Sequence, residues 1–198
     1  DEVREQAERD YQLASGLSQD VETDDNVFRQ TTARLPWLLI GMLGGIGNSM
    51  ILGNFDTTFA AHPEMALYIP LIGGTGGNVG TQSSALVVQG LANSSLSAEN
   101  TFKQVLKESV VALINATIIS MLVYIYNFIR FGASATVSYS VSISLFAVVM
   151  FASIFGTLVP MTLEKLKVDP AIATGPFISI TNDIIGMLMY MGITVLLA

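Results

Sequence analysis

The sequence contains no cysteine, one histidine and one tryptophan among 198 residues. Without cysteine there is neither a disulfide nor a thiolate metal site. His62 alone cannot build a histidine-rich zinc centre. Any metal site must therefore use oxygen ligands, which suits hard cations such as magnesium, calcium or manganese. Charge is also scarce. Only 13% of residues are charged, while 51% are hydrophobic. That balance reads as a membrane protein rather than a soluble domain. The formal net charge of −7 argues against a nucleic-acid partner.

The charge that is present is unevenly placed. Nine of the sixteen acids fall within residues 1–26, and the remainder of the chain is balanced. The acidity thus belongs to an N-terminal segment, taken as 1–33, and not to a membrane body, taken as 34–198. Hydrophobic runs predict five spans in that body, over 35–53, 67–92, 109–128, 137–163 and 170–198. Pro36 and Trp37 are expected to start the first helix and to anchor it at the interface. Eight of the nine basic residues fall on one side of this layout, and Arg130 is the exception. The positive-inside rule puts that side, with the N-terminus, in the cytoplasm. The C-terminus then lies outside.

Span two is the least apolar. It has six glycines from Gly73 to Gly90, with Asn78, Thr81, Gln82, Ser83 and Ser84 among them. Such a segment inserts poorly facing lipid, and is expected to be buried in protein or to line a water-filled path. Glycines of span one (Gly41, Gly44, Gly45, Gly47, Gly53) fit close helix packing.

The residue that decides the reading is Asp183. It lies in the otherwise uncharged run 170–198. A carboxylate at bilayer depth costs roughly 2.5–3.5 kcal/mol on insertion scales, and such residues usually face an interior or an ion path. No lysine or arginine in the run can pair with it. Its partner is then a proton or a cation. Helical spacing places Ser179, Pro176, Gly175, Gly186 and Tyr190 on its face, a narrow small and polar stripe. Thr181 and Asn182 flank that stripe. Pro176 is expected to free backbone carbonyls beside the acid. Other acids read differently. Glu108 is expected at a helix start, paired or capping beside Lys107. Asp56 and Glu64 read as solvated loop acids, and Asp169 as a helix N-cap.

These segments together resemble the membrane domain of the MgtE-type magnesium channel family. The resemblance rests on RLPWLL at 34–39, PLIGGTGGNVGTQS at 70–83, and GTLVP, DPAIATGPF and the following acid and glycine within 156–190. It covers about residues 30–198. EQAERDYQLASG at 5–16 is similar to the amphipathic plug helix that precedes that domain, with Arg9 where an acid is usual. Ala112 and Asn115 stand where the family commonly has glycines.

The resemblance implies an all-α membrane protein with five transmembrane helices per chain, preceded by a cytoplasmic plug-like helix, and a pore formed by a homodimer in the plasma membrane. It implies a channel carrying divalent cations, chiefly Mg2+, passively into the cell. Asp183 maps to the pore's principal Mg2+ site, with Ser179, Gly186 and Asn78 around it. Gly76, Gly77, Gln82 and Thr181 are expected to line the pathway. Glu8 and Asp10, with Glu5, are expected to bind cytoplasmic Mg2+ and pin the plug. The family's larger cytoplasmic sensor domains would be partners outside these residues, and the chain, opening on an acid, is expected to be a piece of a longer protein. Three rivals remain at this point. One is a structural or assembly protein without transport, against which the glycine-rich, polar second span and the lone acid argue. A proton- or sodium-coupled Mg2+ exporter of the same fold would use Asp183 as a coupling site. An intramembrane aspartyl protease would need two facing acids and a GxGD run, which the sequence lacks, so no enzyme is expected. Oxygen ligands alone do not choose among Mg2+, Mn2+ and Ca2+.

Overall fold

A computed structural model describes residues 2–18, 21–132, 136–173 and 175–197, with side chains outside 2–7, 98 and 173. The Glu5 side chain, Thr174 and Ala198 therefore lie outside the described residues. Every regular element among them is helical. The order is α1 (Glu2–Ala14), α2 (Val27–Gly53), α3 (Asp56–Ala61), α4 (Ile69–Ala92), α5 (Thr101–Phe131), α6 (Thr136–Lys165) and α7 (Pro176–Leu197). Short 3-10 turns, Pro63–Tyr68 and Pro170–Ala173, lead into α4 and α7.

Four helices are long and apolar enough to cross a membrane: α2, α5, α6 and α7. The chain is thus a multi-pass membrane protein. α4 is not among them, because glycines and polar residues dilute its hydropathy. It nonetheless has 24 residues, about 36 Å at 1.5 Å per residue. Its glycines do not break it. They let it sit between α6 and α7, where Gly76, Gly77 and Gly80 are buried.

The expected start of the first span at Pro36 is corrected. Asn26 caps α2, accepting the Arg29 N–H at 2.9 Å, and the helix runs through Pro36. A strong N-cap ahead of the apolar run outweighs the proline, which long membrane helices tolerate. Residues 33 and 34, the expected domain boundary, accordingly lie inside one helix.

The start of the last span is corrected as well. Asp169 does cap, accepting the Ala171 N–H at 2.9 Å, but it caps the 3-10 turn. α7 begins only at Pro176. At that first position a missing N–H breaks no helical bond, so Pro176 frees no carbonyl beside Asp183.

α6 is the central helix. Val141, Leu145, Val148, Val149 and Ala152 on it are buried against α4, α5 and α7. The α4–α6 seam is a backbone contact: a Cβ on Gly156 would collide with the Gly80 carbonyl. At the opposite end, the Tyr190 hydroxyl donates to the Met65 carbonyl at 2.8 Å, and Tyr68 donates to Asn127. These bonds tie the turn before α4 to α7 and α5. The outer faces of α2 and α5 expose Leu38, Leu43, Ile46, Ile114, Ile118 and Leu122, as a lipid-contacting or helix-contacting surface does.

α1 docks at the entry to α7. Gly16 ends it at φ +83, and Gly175 turns at φ +50. Both are left-handed positions that glycine adopts without strain. A Cβ on Gly175 would strike the Ala14 carbonyl, and one on Gly16 would lie 2.6 Å from Pro176. Ser18 then donates from both its N–H and its hydroxyl to the Ala33 carbonyl of α2, each at 2.9 Å.

Candidate functional site

α7 carries Asp183 two turns below its start. Along the same face lie Ser179 and Met187. α4 crosses this face with Gly73, Gly74, Gly77 and Asn78, and α2 closes a third side with Asn48 and Leu52. Together these side chains, with Ile69 and Pro70, line a cavity of about 310 Å3. The glycines of α4 make the room. A Cβ on Gly73 would lie 3.4 Å from Asp183 Oδ1, and one on Gly77 would lie 2.9 Å from Ser179 Oγ. Part of the glycine content of span two therefore has a local physical reason: Gly73 and Gly77 bring backbone rather than side chains up to the carboxylate.

Asp183 is half-buried. Among the described residues it forms no hydrogen bond and no ion pair. Asn48 Oδ1 is buried in the same cavity and has no hydrogen-bond partner among the described residues. The cavity thus gathers a carboxylate, a hydroxyl and two side-chain amides, all hard oxygen donors. This is ligand chemistry for a hydrated hard cation. No group of three or more histidines, cysteines or acids occurs among the described residues, so a site made wholly of side-chain anions is not what the bundle offers.

Of the residues expected around Asp183, the structure brings Ser179, Asn78 and Gly77 to it. Others sit elsewhere. Gly186 packs on Val148 of α6 and on Ile72, and a Cβ on Gly76 would lie 2.9 Å from Val148. They serve helix contact, with no wall on the cavity. Thr181 is half-buried outside the cavity lining. Gln82 lies about one turn past Asn78 and lines a separate groove with Glu108. Helical spacing from Asp183 alone could not say which neighbours face the cavity, because α4 and α6 approach α7 from adjacent sides. Asn48 was missed. Its signal was present: Asn48 and Ser49 are the polar pair within the apolar run 35–53.

Glu108 is also corrected. It is no helix-start or lysine-paired acid: it is buried, and Ser83 and Ser153 both donate to it. Seven residues into α5, it points inward rather than toward solvent. Asp56 and Glu64 are corrected too. Asp56, exposed, opens α3, and Glu64, half-buried, lies in the first turn of the 3-10 stretch, 3.5 Å from His62. The physical reason is that an acid in a first helical turn meets the helix's unpaired N–H groups. Of the expected gating acids, Glu8 lines a cavity of about 570 Å3 between α1 and α2 with Gln30 and Arg34, and Asp10 is half-buried.

The family model described as MgtE, divalent cation transporter, matches residues 69–193, from the start of α4 almost to the end of α7. The magnesium transporter MgtE of Bacillus subtilis is 32% identical over 193 residues, covering 98% of this chain and 43% of that protein. The magnesium transporter MgtE of Thermus thermophilus is 33% identical over 165 residues, covering 83% of this chain and 36% of that protein. That of Enterococcus faecalis is 28% identical, again over 98% of this chain. The chain spans less than half the length of these relatives. The matched stretch holds the glycine-rich α4 and the acid of α7 that together form the cavity, and the chain belongs to the MgtE family of divalent cation transporters.

Proposed function

We propose that this chain is the pore-forming membrane part of a magnesium channel, with Asp183 as its ion site. One observation carries the reading: an unpaired carboxylate of α7 faces a cavity that α4 keeps open by presenting glycines. The relatives' names supply magnesium. The physics agrees with it. Mg2+ demands near-octahedral oxygen ligation and gives up water reluctantly. Six waters at about 30 Å3 each fill about 180 Å3, and the cavity measures about 310 Å3. A hydrated ion held through its waters by Asp183, Ser179, Asn78 and Asn48 fits that space. One carboxylate per chain binds weakly enough to release, as conduction requires.

In this reading α4 is a fifth spanning helix, protected from lipid by its neighbours. Two chains form the pore, each contributing one Asp183 across a two-fold axis. The basic residues place the N-terminus in the cytoplasm and the C-terminus outside. Ions move inward down the electrochemical gradient. α1 acts as a plug, seated on the turn that starts the pore helix, with Glu8 and Asp10 as its magnesium-responsive acids.

The test is Mg2+ flux into proteoliposomes under an imposed potential, for the native sequence and for Asp183→Asn. Potential-driven flux that disappears in the variant supports the channel. Flux that needs a proton or sodium gradient moves the reading to a coupled exporter. Undiminished flux in Asp183→Asn removes the proposed ion site.

A further inference from the structure

A second carboxylate lies inside the bundle, away from the cavity of Asp183. Glu108 of α5 is 8% exposed. Ser83 of α4 donates to its Oε1 at 2.7 Å, and Ser153 of α6 donates to the same oxygen. The two hydroxyl oxygens are 3.0 Å apart. Three helices thus converge on one carboxylate oxygen. No donor among the described residues meets Oε2. The cluster opens on a groove of about 520 Å3 between α4 and α5, whose wall includes Gln82, Gln104, Lys107 and Asn115. Lys107 is exposed and forms no ion pair with Glu108.

A buried carboxylate needs compensation. Left without a countercharge it carries a desolvation penalty of several kcal/mol. Two hydroxyl donors answer one of its oxygens. Each serine oxygen keeps lone pairs after donating, so both can ligate while holding Oε1 in place. The amide oxygens of Gln82, Gln104 and Asn115 add hard donors from the groove. The ligating atoms on offer are oxygens, and Glu108 supplies the one negative charge. Lys107, exposed at the rim of the same groove, is the cation that a bound ion has to tolerate.

We propose that Glu108, Ser83 and Ser153 form a second cation site, taking a hard, oxygen-seeking cation through the α4–α5 groove. The site is distinct from the pore cavity. Ser83 lies six residues beyond Gly77 on α4, about 9 Å further along the helix and about 120° around it. An ion here bridges α4, the helix that shapes the pore cavity, to α5 and α6.

The experiment uses the chain in lipid nanodiscs in an Asp183→Asn background, so that the pore site does not contribute. Mn2+ binding is followed by electron paramagnetic resonance, and Na+ binding by thermal stabilisation, before and after adding Glu108→Gln. Removing the carboxylate is expected to abolish one bound Mn2+ or the Na+-dependent stabilisation. Loss with Mn2+ identifies a divalent site, and loss with Na+ alone a monovalent one. Ser153→Ala retains the acid and is expected to weaken the same binding about tenfold, which keeps the test available where Glu108→Gln does not fold. Binding of both ions unchanged in the variants that fold overturns the proposal. Because flux is not the readout, that result leaves the reading of Asp183 as it stands.

Discussion

Gly77 and Asp183 face each other across the α4–α7 contact, and a Cβ at residue 77 would lie 3.6 Å from Asp183 Oδ1 and 2.9 Å from Ser179 Oγ. The second distance forces a shift of Ser179, while the first intrudes on the space where an ion's waters would stand. Gly77→Ala is therefore expected to lower Mg2+ flux about tenfold, the effect of about 1.4 kcal/mol on ion occupancy, without unfolding the chain. Gly192→Ala is the comparison, since nothing lies within 4 Å of a Cβ there. Equal flux in the two variants would show that α4 does not shape the ion's path.

Asn48 supplies a second expectation. Its Oδ1 is buried at the edge of the same cavity without a partner among the described residues. An amide oxygen left so is expensive unless water or a hydrated ion meets it. Asn48→Leu keeps the branched shape, with somewhat more bulk, and removes the acceptor. Mg2+ flux should fall several-fold, less than in Asp183→Asn, while the apparent melting temperature rises or stays level. A fall in melting temperature with unchanged flux would make Asn48 a packing residue.

Much of this was legible in the sequence, and the misses have physical causes. Asp183 stood out because a lone acid in an apolar run is costly, and α7 places it on a cavity. The glycines of span two signalled close backbone approach, and Gly73 and Gly77 provide it. Spacing within α4 or within α7 could not tell that Gly77 faces the cavity while Gly76 and Gly186 face Val148 of α6. Only the packing of three helices tells a pore wall from a seam. Pro36 and Pro176 were misread for one reason: proline's effect depends on its distance from the helix start, which Asn26 and Gly175 set. Glu108 was misplaced because its partners, Ser83 and Ser153, are 25 and 45 residues away.

The Gly80–Gly156 seam predicts a stability effect with no direct contact to Asp183. A side chain at either position would enter the other helix's backbone or the Asn182 amide seated on Gly80. Gly156→Leu is expected to destabilise the bundle by about 1–3 kcal/mol, the usual range for overpacking, or to prevent folding altogether. Thermal unfolding in detergent reads this. A melting temperature equal to that of Gly192→Ala would mean that α4 and α6 separate without penalty.

The junction of α1 with α7 decides whether the plug reading holds. Gly175 adopts φ +50 directly before the pore helix, and a Cβ there would strike the Ala14 carbonyl that ends α1. Gly175→Ala therefore carries a conformational cost of roughly 1–2 kcal/mol and pushes α1 off its seat. Hydrogen exchange should speed up over residues 8–18, while α7 keeps its protection. If α1 restrains the pore by that contact, potential-driven Mg2+ flux rises in the same variant. A detached α1 with unaltered flux would show that its docking is structural, and Glu8 and Asp10 would lose their proposed part in gating. An α1 that stays protected would instead mean that Ser18 on the Ala33 carbonyl, and not Gly175, is what holds it down.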